Sequence, residues 1–388
     1  VSSAAQRLAP APAWFGQVEL VLARAASEVR ILSALTPCDA RGERVRLTGE
    51  LRAGRRAVPR WTYTRRPHDE LRRALDEVQG VLERSDLTAL EALYLDRARE
   101  LALEAAMCAS AGTRALAELA TARFEPRDRR IARAGSALCA AWLEEPRPQP
   151  VEGTIASDSL DPTSLLSRMK TAVGRYRLPF SVVTSPWLAP LAATGERVIL
   201  VTTGRLVPEE DAVRTVLHEI EGHARPRARS MQATSAHFRI GTARGIDDQE
   251  GRAILLEDRA GFLGPRRRKQ LAARHWAVEA MLDGASFADV ASALVSGQGL
   301  DAAEAVVVAE RAFRGGDGTH PGLGRERVYL ESMIRVGRHL AAHPEDDAVL
   351  ASGQVAVSAA DTLRPFMASP HRATEADHHR EPETSGAP

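Results

Sequence analysis

Apolar residues recur at helical spacing along almost the whole chain, and only two short runs break that texture. From Phe15 the stripe continues through Val18, Leu22, Ala25, Val29 and Leu32, predicting a helix over 15–35. Pro67 opens another, with Asp69 and Glu70 in its first turn and Leu71, Leu75, Val78 and Leu82 along one face. Ala/Leu-rich helices are predicted over 87–122 and 127–145, and further ones over 209–223, 248–263, 266–283, 286–297, 301–314 and 323–342. The exceptions are PFSVVTS and RVILVTTG, β-branched runs bounded by Pro and Gly, which predict short strands near 180–184 and 197–203. The expected fold is therefore α+β, mostly α, with a small sheet. Pro-rich EEPRPQPVEG (144–153) suggests a boundary between a helical N-terminal region, 1–150, and a second region, 151–345. A C-terminal helix and tail are expected over 346–388. SPHRATEADHHREPETSGAP (369–388) has almost nothing to bury and reads as disordered, its His378–His379 pair solvated.

Chemistry concentrates in VPEEDAVRTVLHEIEGHARPR (207–227). Pro208 suits a first helical turn, and Glu209, Glu210 and Asp211 favour the positive end of the helix dipole. Ala212, Val213, Val216, Leu217 and Ile220 form the buried stripe, which leads into His218, Glu219 and His223. In the familiar H-E-x-x-H zinc motif the histidines are four apart and share a helix face. Here they are five apart, about 140° around an ideal α-helix. A π-bulge, with its i→i+5 bonding, brings such a pair together, and Gly222 eases the distortion because it lacks a Cβ.

A catalytic zinc needs a third protein ligand and an open position. GIDDQEGRAILLEDRAG (245–261) offers two carboxylates on nearly one face, Glu250 and Glu257, with Asp247 as a plausible N-cap for their helix.

Composition narrows the partners. Lys plus Arg total 52 against 51 for Asp plus Glu in 388 residues, a net charge of +1, which gives no electrostatic case for nucleic acid or a membrane surface. No segment reaches the roughly 18 apolar residues of a membrane span, and no signal pattern opens the sequence, so a cytoplasmic protein is expected. Cys38, Cys108 and Cys139 are too few and too far apart for a disulfide framework and read as buried free thiols.

HEIEGH followed by QEGRA resembles the tyrosine carboxypeptidase family of microtubule-associated metallopeptidases. Its bacterial relatives are flavohemoglobin expression-modulating proteins with a QEGLA motif. RAFRGG (311–316), RERVYLES (325–332) and VPRWTY (58–63) are similar to further segments of that family, so the likeness covers about residues 15–345. The resemblance implies a zincin-like metallopeptidase core, with His218, His223 and Glu250 as zinc ligands and Glu219 as catalytic base. It also implies removal of a C-terminal Tyr or Phe from a peptide or protein substrate. Three positions depart from the family pattern. Gly222 directly precedes the second histidine, where the family usually has glycine two places earlier. Arg252 replaces the leucine of QEGLA, and Ser332 replaces the glycine of the last segment.

An exopeptidase needs a cation for the substrate's terminal carboxylate, and Arg225, Arg227 and Arg314 are candidates by position. Tyr329 is a candidate donor to the developing oxyanion. Two other readings compete. An H-E-x-x-H-type carboxypeptidase or endopeptidase with one inserted residue would make Glu257 the better ligand. A regulatory protein would use residues 286–314, two short helices about Gly297–Gly299, as a helix-turn-helix.

Overall fold

A computed structural model describes residues 13–84, 86–146 and 153–367. Helices dominate, and two small sheets interrupt them between residues 154 and 208. Strands β1 (Thr154–Ala156) and β5 (Leu206–Pro208) pair antiparallel. Strands β2 (Ser181–Ser185), β3 (Ala192–Thr194) and β4 (Val198–Thr202) form a sheet of order β2-β4-β3, with β2 parallel and β3 antiparallel to β4. The two strands expected from the β-branched runs are thus β2 and β4. β1, β3 and β5, three residues each, are too short to show a period in the sequence.

Several helices differ from their predicted spans, for local reasons. The first ends at Glu28, and a separate turn covers Ile31–Ala34. Pro67 lies outside its helix, which begins at Asp69 after His68 takes a left-handed conformation. The stretch 87–122 is two helices, Ala89–Ala109 and Ala115–Phe124, parted where Gly112 adopts φ +73°. The first of these opens on a capping box of Thr88 and Glu91. Among the described residues after the Val328–Ala342 helix there are only short helical turns, including Asp347–Leu350 and Ala360–Leu363, where a C-terminal helix was expected. The expected tail, 369–388, and the centre of the Pro-rich segment lie outside the described residues. Cys108 and Cys139 are buried as expected, but Cys38 is exposed.

The helices before residue 150 share cores with later ones. Cys139 and Trp142 pack with Ile254, Leu271 and Leu330, and Leu95 and Leu101 belong to a cluster that also takes in Ala236 and Ile240. A further cluster joins Leu166 and Met169 to Ile199 and Val201 of β4 and to Ile220 of the histidine segment. The sheet therefore lies directly against the helix that carries both histidines.

Residues 286–314 do form two helices, Phe287–Ser296 and Ala302–Phe313, but the second is buried around most of its circumference. Val306, Ala309 and Phe313 sit in one core with Val290 and Leu294. Its exposed residues are Ala303 and Glu304 alone, which offer no basic or base-reading side chain to a DNA groove and tell against the helix-turn-helix reading. No helix among the described residues is long and apolar enough to cross a membrane.

Candidate metal centre

The histidine helix starts as an α-helix over Glu209–Leu217, widens into a π-helix over His218–Ala224, and resumes as an α-helix over Arg225–Gln232. Pro208 stands just outside it as an extended N-cap. The wide turn is what a spacing of five requires, and it brings His218 Nε2 and His223 Nε2 to 3.3 Å. Gly222 has an additional reason to be glycine, because a Cβ there would lie 2.6 Å from Ala253 Cβ. Ala253 belongs to the Gly245–Arg259 helix, which crosses the π-turn closely enough to present Glu250 to both imidazoles. Glu250 Oε2 lies 3.4 Å from His218 Nε2 and 3.7 Å from His223 Nε2. Gly251 permits a second close pass, since its Cβ would meet the Ser332 carbonyl carbon at 2.4 Å.

Each imidazole is turned by a partner on its far nitrogen. His218 Nδ1 lies 2.7 Å from Glu257 Oε1, and Glu257 is itself held by Arg267 at 2.7 and 2.9 Å. His223 Nδ1 lies 2.9 Å from Gln249 Oε1, whose amide is oriented by donating to the Gly353 carbonyl at 3.3 Å. With both Nδ1 atoms donating, both Nε2 lone pairs face each other and the Glu250 carboxylate. Such a constellation calls for a cation between them. The carboxylates also act on protons. Burial opposes a charged His218, but Glu250 and Glu257 outweigh it and raise its pKa to about 9. Burial likewise opposes charge on Glu250, yet His223, His218 and Arg325 hold its carboxyl well below the usual range.

The donor set fits a metal ion. His218, His223 and Glu250 each offer one ligand atom, all within 4.8 Å of one another. Tetrahedral zinc bound at about 2.0–2.1 Å has neighbouring donors about 3.3 Å apart, close to the separations here. Glu257 does not join this group, because its oxygens are taken by His218 and Arg267. Asp247 is not the N-cap of its helix, a place that falls to Arg244 in a left-handed conformation. It lies within the first turn and is bound by buried Arg123 at 2.8 Å.

A model of the family described as microtubule-associated tyrosine carboxypeptidase matches residues 51–372. The chain belongs to this family. The match starts later than the motif likeness and runs beyond it, and it includes both histidines, Glu250 and the RERVYLES segment. No curated protein matches the chain.

At the positions that depart from the family pattern, local partners compensate. Arg252 pairs with Asp347 at 2.9 Å and donates to the Glu221 carbonyl of the π-turn at 3.3 Å. Ser332 is fully buried and accepts from Arg335 Nη2 at 2.7 Å.

The three ligand atoms open into a cavity of about 1010 Å³. Glu219 lines it, with Oε2 accepting a 2.7 Å bond from Thr194 Oγ1 on β3. Tyr329 lines it too, buried, its oxygen accepting from Arg311 Nη2 at 3.3 Å. The three arginine candidates separate. Arg314 is a buried part of the cavity wall, and Arg227 lines the cavity while paired with Glu196. Arg225 does not line it, being held by Glu221 at 2.6 Å and stacked over Tyr176 at 4.7 Å. The sequence reading missed several residues, among them Thr194, Arg267, Arg325 and Gln249. Gln249 and Arg325 had a signal, as the first letters of the QEGRA and RERVYLES segments.

Proposed function

We propose that the chain is a metal-dependent carboxypeptidase that removes a C-terminal aromatic residue, Tyr or Phe, from a peptide or protein. The observation that carries this reading is the convergence of His218 Nε2, His223 Nε2 and Glu250 Oε2 beside Glu219 at the wall of one cavity. These three residues would hold the metal, and zinc is the ion whose open catalytic sites use this donor set. When bound, zinc supplies Lewis-acid polarisation of the scissile carbonyl and lowers the pKa of water. Membership of a family named for tyrosine carboxypeptidases supports the residue removed.

The remaining roles fall to side chains of this chain. Glu219 takes a proton from the attacking water and delivers it to the leaving amine, and Thr194 fixes the carboxylate for that task. Tyr329 lies where it can stabilise negative charge on the former carbonyl oxygen, its own oxygen being oriented by Arg311. Arg314 is our choice for the substrate's terminal carboxylate, since among the described residues no carboxylate lies within ion-pair distance of it and its Nε is buried without a partner. The Leu191 carbonyl and Gly195 N–H bond to β4 and its turn, so Ala192 and Thr194 between them turn their main-chain groups away from β4. That edge can pair with an extended peptide, and its place beside the histidine helix supports a zincin-like core.

Glu219→Gln tests the assignment of the base. The variant should keep its fold and its metal while losing at least about a hundredfold in rate, the usual worth of a general base. Near-normal turnover in a metal-loaded Glu219→Gln protein would exclude it as the base.

A further inference from the structure

Glu250 turns its two oxygens to different partners. Oε2 faces His218 Nε2 and His223 Nε2 at 3.4 and 3.7 Å, while Oε1 accepts a 2.9 Å bond from Arg325 Nη2. Arg325 opens a short turn, Arg325–Arg327, directly after Gly324, whose φ of +60° a side chain would strain. That turn buries the arginine to 4% exposure, with its guanidinium 5.8 Å from the Tyr329 ring centroid. Among the described residues, Glu250 is the only carboxylate within 4.0 Å of Arg325. Asp247, one turn before Glu250 on the same helix, is already taken by Arg123 at 2.8 Å.

An unrestrained carboxylate can close on a cation through both oxygens, and the second oxygen would fill the position that a catalytic site keeps open. A charge-assisted bond to Oε1 opposes this closure, because breaking it would leave a buried guanidinium unpaired. We propose that Arg325 is a positioning residue that restricts Glu250 to ligation through Oε2 alone and so keeps a position free for water and the scissile carbonyl. The inference rests on the metal-dependent reading above. It also differs in sign from the part played by Glu257. Glu257 strengthens the site by orienting a ligand, whereas Arg325 restrains a ligand that would otherwise bind through one more atom.

The test loads the full chain with cobalt(II) in place of zinc, because its visible absorption is intense when four-coordinate and weak when five- or six-coordinate. Wild-type protein should show the intense band, and Arg325→Met should lose most of it while still binding stoichiometric cobalt. With zinc loaded and a peptide ending in Tyr, Arg325→Met should lose about 10–100-fold in kcat, with KM little changed. Its zinc should resist graded chelator at least as well as the zinc of the wild type. Arg325→Lys, which keeps a charged donor, should recover part of both the band and kcat. An unchanged band in Arg325→Met would overturn the proposal, and so would loss of metal from that variant in a folded state. Should Arg325→Met fail to fold, the wild-type spectrum decides: an intense band supports the proposal and a weak one overturns it. The expected spectral change without release of tyrosine would keep the role of Arg325 and remove the carboxypeptidase reading. A wild-type chain that binds neither cobalt nor zinc would remove the metal reading and this inference with it.

Discussion

Glu250 and Glu257 lie seven residues apart on one helix, and helical spacing alone cannot rank them as ligands. What separates them comes from other parts of the chain. Arg267 and His218 Nδ1 occupy Glu257, whereas Glu250 gives one oxygen to Arg325 at 2.9 Å and turns the other toward both Nε2 atoms. Removing the two carboxylates should therefore have different consequences. Glu250→Ala should lose stoichiometric zinc, because a ligand is gone. Glu257→Ala should retain the site but bind zinc about 10–100-fold more weakly, the usual effect of losing a partner that orients a ligating histidine. Elemental analysis after dialysis against graded chelator measures both. Full zinc in the first variant together with loss in the second would reverse the assignment.

At the scale of the helix, the sequence was readable in one respect and silent in another. His218 and His223, five apart with carboxylate partners downstream, require a widened turn, and the π-helix over His218–Ala224 is that turn. The full reason for Gly222 was hidden, because Ala253 meets it from a helix that begins more than twenty residues later. Asp247 misled for a similar reason. Its spacing suits a cap, but Arg123, more than a hundred residues earlier, draws it into a buried ion pair. Local pattern identifies elements, and long-range packing assigns the work of individual side chains within them. Gly222→Ala tests the close crossing. The added methyl should cost about 1–3 kcal/mol, as overpacking of a tight core does, and lower zinc occupancy by displacing His223 from Glu250. Thermal unfolding and metal analysis would show both effects, and an unchanged melting temperature with full metal would mean that the crossing is not tight.

Across the whole molecule, the small sheet, the histidine helix and the Gly245–Arg259 helix were each visible in the sequence, but the cavity they bound was not. Its wall draws on Thr194 from an edge strand, Arg274 from the Pro265–Leu282 helix, and Arg311, Arg314 and Tyr329 from segments more than a hundred residues later than β3. No single stretch of the chain carries that pattern, since it exists only once distant helices pack together. The central claim is that this cavity reads a free C-terminus next to a hydrolytic centre. The most direct measurement is a matched pair of peptides ending in Tyr, one a free acid and one an amide, incubated with metal-loaded protein and followed by mass spectrometry. The account predicts loss of a single tyrosine from the acid and sparing of the amide, whose missing charge forfeits on the order of 2–5 kcal/mol at the arginine wall. Equal cleavage of acid and amide, or cuts at internal bonds, would contradict it.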